Sequence, residues 1–469
     1  MNISQPSELR SQRLNCFLIF LVFFGYFAAT AYFLPTGAGP DYPLSRLSAD
    51  FYLQNGRLAT YPEDEASMAF SDFGNSRLLR PPLAFATAAA FSKARGTTIK
   101  HKHERYYSYR LANAFYGAVA ITAIYAALYL LLGSAMTALF GSTVAGLMPQ
   151  FTFIASYLND DGPAITAVCV LVFTMLRIVK LGATLNNCIY FALAVGMTVI
   201  TKKAGWVFLP TAVLFYLGYI LRFNRDFFKK HIMMVFAFIF AGGWWLIFNM
   251  LQYGWDDPLL SKVINVAAWK NTKFDLNQFG FLAEQGVGVR ALVLHNHAEF
   301  WPATHKAVVG QLDWLALKVG PLQYNYYLIF FIGVIANIFI LAYKMLTSRF
   351  SDKMAWFEVL LYIGILSQIS AFVWTNVAND IQIQGKYILP VIAPITLLSL
   401  LFYSKLFELV TRSKHKKIHR RPNVSGIILG SLLLISPMIV HVDAIANHVF
   451  PFYWPEASNS VIKAIQTYF

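Results

Sequence analysis

The chain has 469 residues, of which 57% are hydrophobic and only 13% are charged. This composition excludes an ordinary soluble protein and indicates a polytopic membrane protein. The formal net charge of +15 does not indicate nucleic acid as a partner, because many of the Lys and Arg residues fall in short segments between apolar runs, as the positive-inside rule predicts.

The first apolar run, residues 15–33, predicts a retained transmembrane helix. Two arginines precede it, which places the N-terminus in the cytoplasm and sends the helix outward. Residues 34–108 therefore form a long outer loop. Within this loop, apolar residues recur at helical spacing over 44–58 and predict an amphipathic helix on the membrane surface. The apolar stretch 80–91 is too short to span, so it either dips into the interface or forms a second surface helix.

The rest of the chain alternates between apolar runs and polar turns, and each strongly basic short loop falls on the inner side. The predicted fold class is therefore an all-α polytopic membrane protein with about eleven transmembrane helices and amphipathic surface helices in the first outer loop. Further spans are predicted at 109–132, 135–157, 186–200, 231–251, 324–343 and 387–403, with others that end near 175, 221 and 374 and a last one near the C-terminus.

This topology divides the chain into three parts. Residues 1–251 form an N-terminal transmembrane module that includes the first outer loop. Residues 252–323 form a large outer loop or cap, and residues 324–469 provide the C-terminal helices and an outer tail.

Charged and polar residues that are far apart in sequence meet at the outer face of this topology. Several stand at helix ends on very short turns, so we expect them to line a shared cavity. Carboxylates that face Lys and Arg at this depth suit a phosphate-bearing lipid and a base that acts on a polar acceptor. The candidates are Asp41, Arg46, Asp50, Arg80, Asp160, Asp161, Lys202, Lys203, Asp380, Gln384 and Lys386.

Some of these residues also have a purely structural interpretation. Asp160 and Asp161 together with Asn159 form a simple helix cap, which is the favoured interpretation of this turn taken alone. Lys202 and Lys203, taken alone, are typical of side chains that snorkel to the membrane interface. Their outer position, however, runs against the positive-inside bias.

For some other residues the sequence gives only a weak indication of function. Asp41 follows a proline and fits an ordinary turn, and Arg110 at the outer end of the second helix fits a snorkelling residue. His295 and His297 with Glu299 form a weak metal motif because no further ligand stands nearby. The three cysteines lie in or beside apolar runs. Neither the histidines nor the cysteines therefore predict a metal site.

Several short motifs follow one another along the chain. They include G-P-D-Y-P at 39–43, R-P-P-L-A-F at 80–85, R-L-A-N-A-F-Y-G at 110–117, S-Y-L-N-D-D-G-P-A at 156–164, T-K-K-A-G-W-V-F-L-P at 201–210, Q-Y-G-W-D-D-P-L at 252–259 and I-Q-G-K-Y-I-L-P at 383–390. Their order resembles the GT-C superfamily of integral-membrane glycosyltransferases, in particular a bacterial branch described only as predicted membrane proteins. The resemblance covers residues 15–407. The sequence departs from the family pattern at Tyr42, where Glu is usual, and at Lys386, where Arg is typical and would add a bidentate fork.

The resemblance implies an inverting transfer of a single sugar from a polyprenyl-phosphate carrier to an acceptor hydroxyl, without a covalent intermediate. By this analogy Asp41 is the general base. The residues implied to hold the donor phosphate are Lys202, Lys203 and Lys386, with Arg46 or Arg80. Those implied to support the acceptor are Asp50, Asp160, Asp161 and Gln384.

The resemblance also implies partners and a location. The partners are a polyprenyl-phosphate-linked sugar, the lipid bilayer, and a glycan or protein acceptor such as lipopolysaccharide, a cell-wall polymer or a pilin. No cofactor is required, although a magnesium or manganese ion held by Asp41, Asp160 and Asp161 is left open. The location is the bacterial inner membrane, with a cytoplasmic N-terminus and an active site that faces the periplasm.

Two other functions are kept as alternatives. A transporter or flippase for lipid-linked glycans would distribute charges through the membrane midplane, often in two related halves, and no internal repeat is evident here. An O-antigen ligase or polymerase would use Arg and His residues in a large outer loop. The loop 252–323 offers Arg290, His295, His297 and His305 for that role.

Overall fold

The computed structural model describes residues 6–221, 227–274, 286–349, 351–378, 381–412 and 424–458. Within them the chain is almost entirely helical, and the only sheet is an antiparallel hairpin of β1 (Gln311–Leu312) and β2 (Leu317–Lys318). This confirms the predicted all-α class. The helices are α1 (Pro6–Phe33), α2 (Tyr42–Asn55), α3 (Leu83–Ala94), α4 (Lys102–Leu132), α5 (Ala135–Gly146), α6 (Pro149–Ser156), α7 (Asp161–Leu181), α8 (Leu185–Val199), α9 (Lys203–Trp206), α10 (Leu209–Phe215), α11 (Phe227–Phe238), α12 (Trp244–Tyr253), α13 (Ser261–Asn271), α14 (Val289–Leu294), α15 (Phe300–Gly310), α16 (Pro321–Thr347), α17 (Lys353–Ala378), α18 (Ile392–Arg412), α19 (Val424–Ala444) and α20 (Phe450–Tyr453).

Eight helical segments of the described chain are long and apolar enough to cross a membrane. The pair α5 and α6 passes the same test as one broken span, α8 is a shorter apolar helix, and α19 stands where the last span was predicted. Every predicted span is thus helical in the structure. The eight are Ser11–Phe33, Lys102–Leu132, Asp161–Leu181, Lys203–Leu221, Phe228–Tyr253, Pro321–Thr347, Lys353–Ala378 and Leu389–Glu408.

The helix predicted at 135–157 is not continuous. It is bent by 69° between α5 and α6, where Pro149 begins the second piece. Proline has no N–H to continue the hydrogen-bond ladder and its ring clashes with the preceding turn, so the chain changes direction there. All eight residues of α6 are buried. The bend therefore turns α6 into the protein, directly before the polar turn that precedes α7.

The first outer loop contains both surface helices. The amphipathic helix is confirmed as α2, which buries Tyr42, Phe51 and Tyr52 in a cluster shared with α3 and α4. It ends where Gly56 takes a left-handed conformation with φ 63° and donates its N–H to the carbonyl of Tyr52. The second piece is α3, which packs against α2 and α4.

The second large outer segment, predicted at 252–323, contains α13, α14, α15 and the hairpin among its described residues. It packs against the first outer loop. A Cβ on Gly74 would lie 2.1 Å from the carbonyl oxygen of Ala268, and Lys270 pairs with Glu65 at 2.6 Å. The two outer segments therefore form one surface, while the boundaries at 251 and 323 stay a prediction.

Arg110 fixes the point where the chain leaves α1. It lies on α4 with only 4% of its surface exposed. Its guanidinium donates to the carbonyl oxygens of Ala31 at 2.9 Å, Leu34 at 2.7 Å and Pro35 at 2.6 Å. The last carbonyls of a helix have no partner inside the helix. Arg110 satisfies one of those of α1, at Ala31, together with the first two carbonyls after the helix, and it is not a snorkelling residue.

We expect Arg110→Met to lower the free energy of unfolding by about 2–5 kcal/mol, because it leaves several buried carbonyl oxygens without a donor. The measurement is the thermal midpoint of the purified protein in detergent. Arg57→Met is the matched control, because Arg57 is 53% exposed and pairs only at the surface. An unchanged midpoint in Arg110→Met would contradict this role.

Candidate active site

Charged and polar residues of four segments line a cavity of about 410 Å³, together with residues of α13, the stretch before it, and α17. The four segments are the loop after α1, the stretch around a 3-10 turn at Arg77–Leu79, the turn before α9, and a 3-10 turn at Gly385–Tyr387. The turn before α7 forms ion pairs with three of the lining side chains. The topology places these segments at the same ends of their helices, as the sequence predicts for the outer face.

Asp41 stands at the mouth of this cavity, directly before α2. Its backbone is left-handed, with φ 60°, and its carboxylate does not cap the helix. Instead, its Oδ2 forms an ion pair with the guanidinium of Arg77 at 2.5 Å, and 30% of the Asp41 side chain is exposed. Positive φ is uncommon outside glycine, although Asp tolerates it better than most residues. The loop therefore presents one face of the carboxylate to Arg77 and leaves the other open to the cavity.

Gly39 allows this loop to lie against the protein. Its φ of +101° is open to glycine, and an added Cβ would lie 2.3 Å from the ring of Tyr157. The Gly39 N–H donates to Oδ1 of Asp313, at the tip of the hairpin, at 3.1 Å, and the other oxygen of Asp313 accepts from Tyr453 at 2.9 Å. Asp313 thus positions the loop that carries Asp41.

A chain of ion pairs connects Asp41 to the interior. Arg77 is 6% exposed, and it contacts Asp160 at 3.0 Å in addition to Asp41. Asp160 also accepts from Arg80 at 2.6 Å and from Lys202 at 3.3 Å. One buried carboxylate is therefore surrounded by three cations.

The second carboxylate of this turn completes the chain, because Asp161 pairs with Lys202 at 2.8 Å. Burial would raise the pKa of Asp160, but Lys202, Arg77 and Arg80 hold it well below its usual range. Burial would likewise lower the pKa of Lys202, but Asp160 and Asp161 raise it above its ordinary value. Asp160 and Lys202 are therefore both charged at neutral pH.

The helix-cap interpretation of Asp160 and Asp161 is wrong, because Asn159 alone performs that role. Its Oδ1 accepts the N–H groups of Asp161 and Gly162, both at 2.9 Å. Asn113 on α4 donates to the backbone carbonyl of Asn159 at 3.3 Å and holds the turn in place. The carboxylates of Asp160 and Asp161 are therefore available for ion pairs with the cationic side chains.

Lys386 differs from the other cations of the site. It is 5% exposed and, among the described residues, forms no hydrogen bond or ion pair, with its Nζ 5.5 Å from the ring centre of Tyr387. Burial lowers its pKa to about 8. The turn that carries it is pressed against α15, where a Cβ on Gly385 would lie 2.0 Å from the carbonyl oxygen of Ala307.

Two predicted site residues lie elsewhere. Arg46 donates to the hydroxyl of Tyr106 at 3.0 Å. Asp50 accepts from the hydroxyl of Tyr109 at 2.7 Å and pairs with Arg105 at 3.2 Å. Both therefore hold α2 against α4, and neither lines the cavity.

The remaining candidates lie at the edges of the site. Lys203 is exposed and lines the cavity rim. Gln384 faces a neighbouring pocket together with Lys386. Asp380 is outside the described residues.

Two residues of the site were missed by sequence reasoning. Arg77 stands three positions before Arg80 on one 3-10 turn, and Tyr387 lines the cavity beside Lys202, whose Nζ lies 5.2 Å from its ring centre. The spacing R-L-L-R before two prolines was the available signal for Arg77.

We call the charged residues of the site the ion-pair cluster. Five basic side chains face three carboxylates in it, which leaves an excess of two positive charges. A cavity of this polarity suits a phosphate group. The members are Arg77, Arg80, Lys202, Lys203, Lys386, Asp41, Asp160 and Asp161.

The donor set does not favour a metal ion. Among the described residues, no group of three or more His, Cys, Asp or Glu side chains is arranged to hold one. Asp41, Asp160 and Asp161 each contact at least one cationic side chain, which a metal would have to displace. His295, His297 and Glu299 lie exposed on the outer segment.

The comparisons with known proteins identify a family. The model of the family described as "Predicted membrane protein (DUF2142)" matches residues 24–395. This match confirms the predicted resemblance to a branch of predicted membrane proteins. No curated protein matches the chain.

Solved structures that are similar to this chain include three proteins from different organisms. ArnT from Cupriavidus metallidurans bound to undecaprenyl phosphate is 15% identical, with 91% of this chain and 71% of that chain covered and a TM-score of 0.48. The Archaeoglobus fulgidus oligosaccharyltransferase tethered with an acceptor peptide is 13% identical, with 91% and 55% covered and a TM-score of 0.47. The protein O-mannosyltransferase Pmt1-Pmt2 complex of S. cerevisiae bound to the sugar donor is 17% identical, with 53% and 35% covered and a TM-score of 0.38.

The ion-pair cluster makes a prediction about stability. Asp160→Asn should lower the free energy of unfolding by about 3–5 kcal/mol, because the buried Arg77 and the partly buried Arg80 and Lys202 lose their shared carboxylate. Asp161→Asn should cost less, since Asp161 contacts Lys202 alone. Thermal midpoints of both purified variants in detergent provide the measurement. Thermal midpoints equal to that of the wild type in both variants would show that the ion-pair cluster does not stabilise the fold.

Proposed function

The chain belongs to the family of predicted membrane proteins DUF2142, and we propose that it is an inverting membrane glycosyltransferase. It transfers a single sugar from a polyprenyl-phosphate carrier to an acceptor hydroxyl. The observation that carries this proposal is the contact of Asp41 with Arg77 at the mouth of a cavity with an excess of positive charge. A carboxylate open to a phosphate-binding cavity is what a base-assisted displacement at a sugar phosphate requires.

The basic side chains bind the donor phosphate in this proposal. The cavity is lined by Arg77, Arg80, Lys202 and Lys203, and Lys386 lines the adjoining pocket. Their N–H groups donate to the phosphate oxygens and stabilise the charge that develops as the phosphate leaves. Arg46 has no part in this step, because it binds Tyr106 outside the cavity.

Asp41 accepts the proton of the acceptor hydroxyl. Its contact with Arg77 uses Oδ2, so Oδ1 is available to the acceptor. The acceptor oxygen forms a bond to the anomeric carbon as the bond to the phosphate oxygen breaks, and the electron pair leaves on the phosphate. Attack opposite the leaving group inverts the anomeric centre, and no covalent enzyme intermediate forms. A metal ion enters no step, because the three carboxylates are paired with cationic side chains.

The proposed location is the bacterial inner membrane, with the N-terminus in the cytoplasm and the cavity facing the periplasm, as the distribution of basic loops predicts. The proposed acceptor is a glycan or a protein, such as lipopolysaccharide, a cell-wall polymer or a pilin. The two outer segments that pack over the cavity provide the surface for it.

The geometry favours this function over the alternatives. The described charged residues of the site gather at helix ends, whereas a flippase needs polar groups through the midplane. Arg290, His295 and His297 are exposed on the outer segment, and His305 bonds the carbonyl of Tyr324 at 3.0 Å. None of these four residues lines the cavity, which disfavours a ligase that relies on them.

Asp41→Asn should abolish transfer while the protein still folds and binds undecaprenyl phosphate, because Asn cannot accept the proton. Each variant is expressed in cells that lack the native protein, and mass spectrometry of their surface glycans and glycoproteins measures the effect. Wild-type protein and Arg290→Ala should restore the missing sugar, and Asp41→Asn should not. Restoration by Asp41→Asn at equal membrane levels would reject the assignment of the base.

The lowered pKa of Lys386 predicts that binding of the donor phosphate depends on pH. Its pKa of about 8 means that the free protein loses this charge as the pH rises through that value. The affinity for undecaprenyl phosphate should therefore fall above pH 8, by at most about tenfold per pH unit. Lys386→Arg should remove this decline, since arginine stays protonated.

The control for this titration is Arg46→Met, which changes a cation outside the cavity and should keep the wild-type pH dependence. Binding of undecaprenyl phosphate to the purified proteins between pH 7 and 10 provides the measurement. If the affinity of Lys386→Arg falls with pH as much as that of the wild type, a group other than Lys386 causes the decline.

A further inference from the structure

A second, smaller pocket adjoins the cavity along two of its segments. Pro40 and Lys386 line this pocket, and their chain neighbours Asp41 and Tyr387 line the larger cavity. The space enclosed is about 10 Å³, which is enough for one water-sized group. The tip of the β1–β2 hairpin covers it. A group bound in this pocket therefore lies next to Asp41, which is the proposed base.

Three polar side chains of this pocket have a polar atom that lacks a partner within the described protein. Gln150 is 6% exposed, yet its Oε1 has no hydrogen bond, and the Oε1 of Gln384 is buried without one as well. Lys386 is 5% exposed and unpaired among the described residues. Buried polar atoms without partners are costly, and most are satisfied in folded proteins. Two acceptors and one donor without partners in a single pocket point to a bound group that both donates and accepts.

The rim of the pocket carries an aromatic side chain. Trp314 at the hairpin tip lines the pocket and is 61% exposed. An indole offers a flat apolar surface with a polar edge, which suits a ring with one apolar face and polar substituents. The neighbouring Asp313 bonds the N–H of Gly39 at 3.1 Å and so ties this rim to the loop that carries Asp41.

We propose that this pocket is a subsite for a neutral sugar ring, which lies against Trp314 and inserts one hydroxyl group between Gln150, Gln384 and Lys386. The hydroxyl donates to a glutamine oxygen and accepts from the Lys386 ammonium. This subsite rests on the proposed function and adjoins the phosphate-binding cavity. The Lys386 ammonium has three N–H donors, so it serves both the sugar hydroxyl and the donor phosphate. The ring belongs either to the donor or to the acceptor.

The test is saturation-transfer-difference NMR of the purified full-length protein in detergent. The probes are a hexose set, N-acetylhexosamines, 6-deoxyhexoses and pentoses, each as the free monosaccharide. At least one should receive saturation from the wild type. Gln150→Met and Gln384→Met should each weaken its binding about fivefold, the value of one hydrogen bond, and Trp314→Ala should also weaken it. Trp269→Ala is the matched control, because Trp269 is 62% exposed on α13 and should have no effect.

Thermal unfolding without sugar separates a binding role from a structural one. Methionine has a similar volume and removes an unpartnered amide, so Gln150→Met and Gln384→Met should raise the thermal midpoint while they weaken binding. Lower midpoints with unchanged sugar binding would assign both residues to packing and overturn the proposal. The absence of saturation for every probe would overturn it as well.

The source of the ring follows from a comparison with the cells that lack the chain. If the bound monosaccharide is the sugar missing from their glycans, the subsite holds the donor sugar; if it is a sugar that they retain, the subsite holds the acceptor. The result is independent of the test of the base. Asp41→Asn can fail to abolish transfer while the subsite binds sugar, and the subsite can fail while Asp41 is essential.

Discussion

The buried guanidinium of Arg77 is the interaction on which the site depends. It contacts Asp41 in the first outer loop and Asp160 before α7, so it joins a loop to the transmembrane bundle. A planar fork with several donors can serve two carboxylates at once, which a lysine cannot do with the same geometry. A buried cation is costly without its partners. The contact therefore forms only when both segments are in place, which makes the assembly of the site cooperative with folding.

Close backbone contacts complete the placement of the site. Gly39 fits against Tyr157 and Gly385 against Ala307, each at a distance that no side chain would allow. The hydrogen bond from the Gly39 N–H to Asp313 adds a tether from the second outer segment. The groups proposed for the chemistry stand on turns, but each turn is pressed against a helix or bonded to a neighbouring segment. A displacement reaction needs such rigidity, because the base and the phosphate must hold fixed positions on either side of one carbon atom.

The helices and the meeting of Asp41 with Lys202 at one site could be predicted because hydropathy and loop charge determine on which side each helix end lies. Local patterns could not predict the rest. Arg77 resembles any loop arginine until its two carboxylate partners are known, and Asp50 stands on an amphipathic helix whose pattern does not reveal which polar residues face α4. The bend at Pro149 was missed because the hydropathy of α5 and α6 is continuous across it. The partners of Arg77 and Asp50 depend on contacts between segments that are distant in sequence, whereas the bend has a local cause in Pro149 that hydropathy does not register.

The charge balance of the ion-pair cluster agrees with the proposed reaction at each stage. A sugar phosphodiester carries one negative charge, and the phosphate monoester that leaves carries nearly two at neutral pH. As the reaction proceeds, Asp41 gains a proton and loses its charge while the phosphate gains one, so the total charge of the site stays constant. Arg77 keeps Asp160 as a partner when Asp41 becomes neutral, and it is then free to attract the leaving phosphate. The interaction that orients the base in the resting protein thus becomes one that stabilises the leaving group, which is the differential stabilisation of the transition state that catalysis requires.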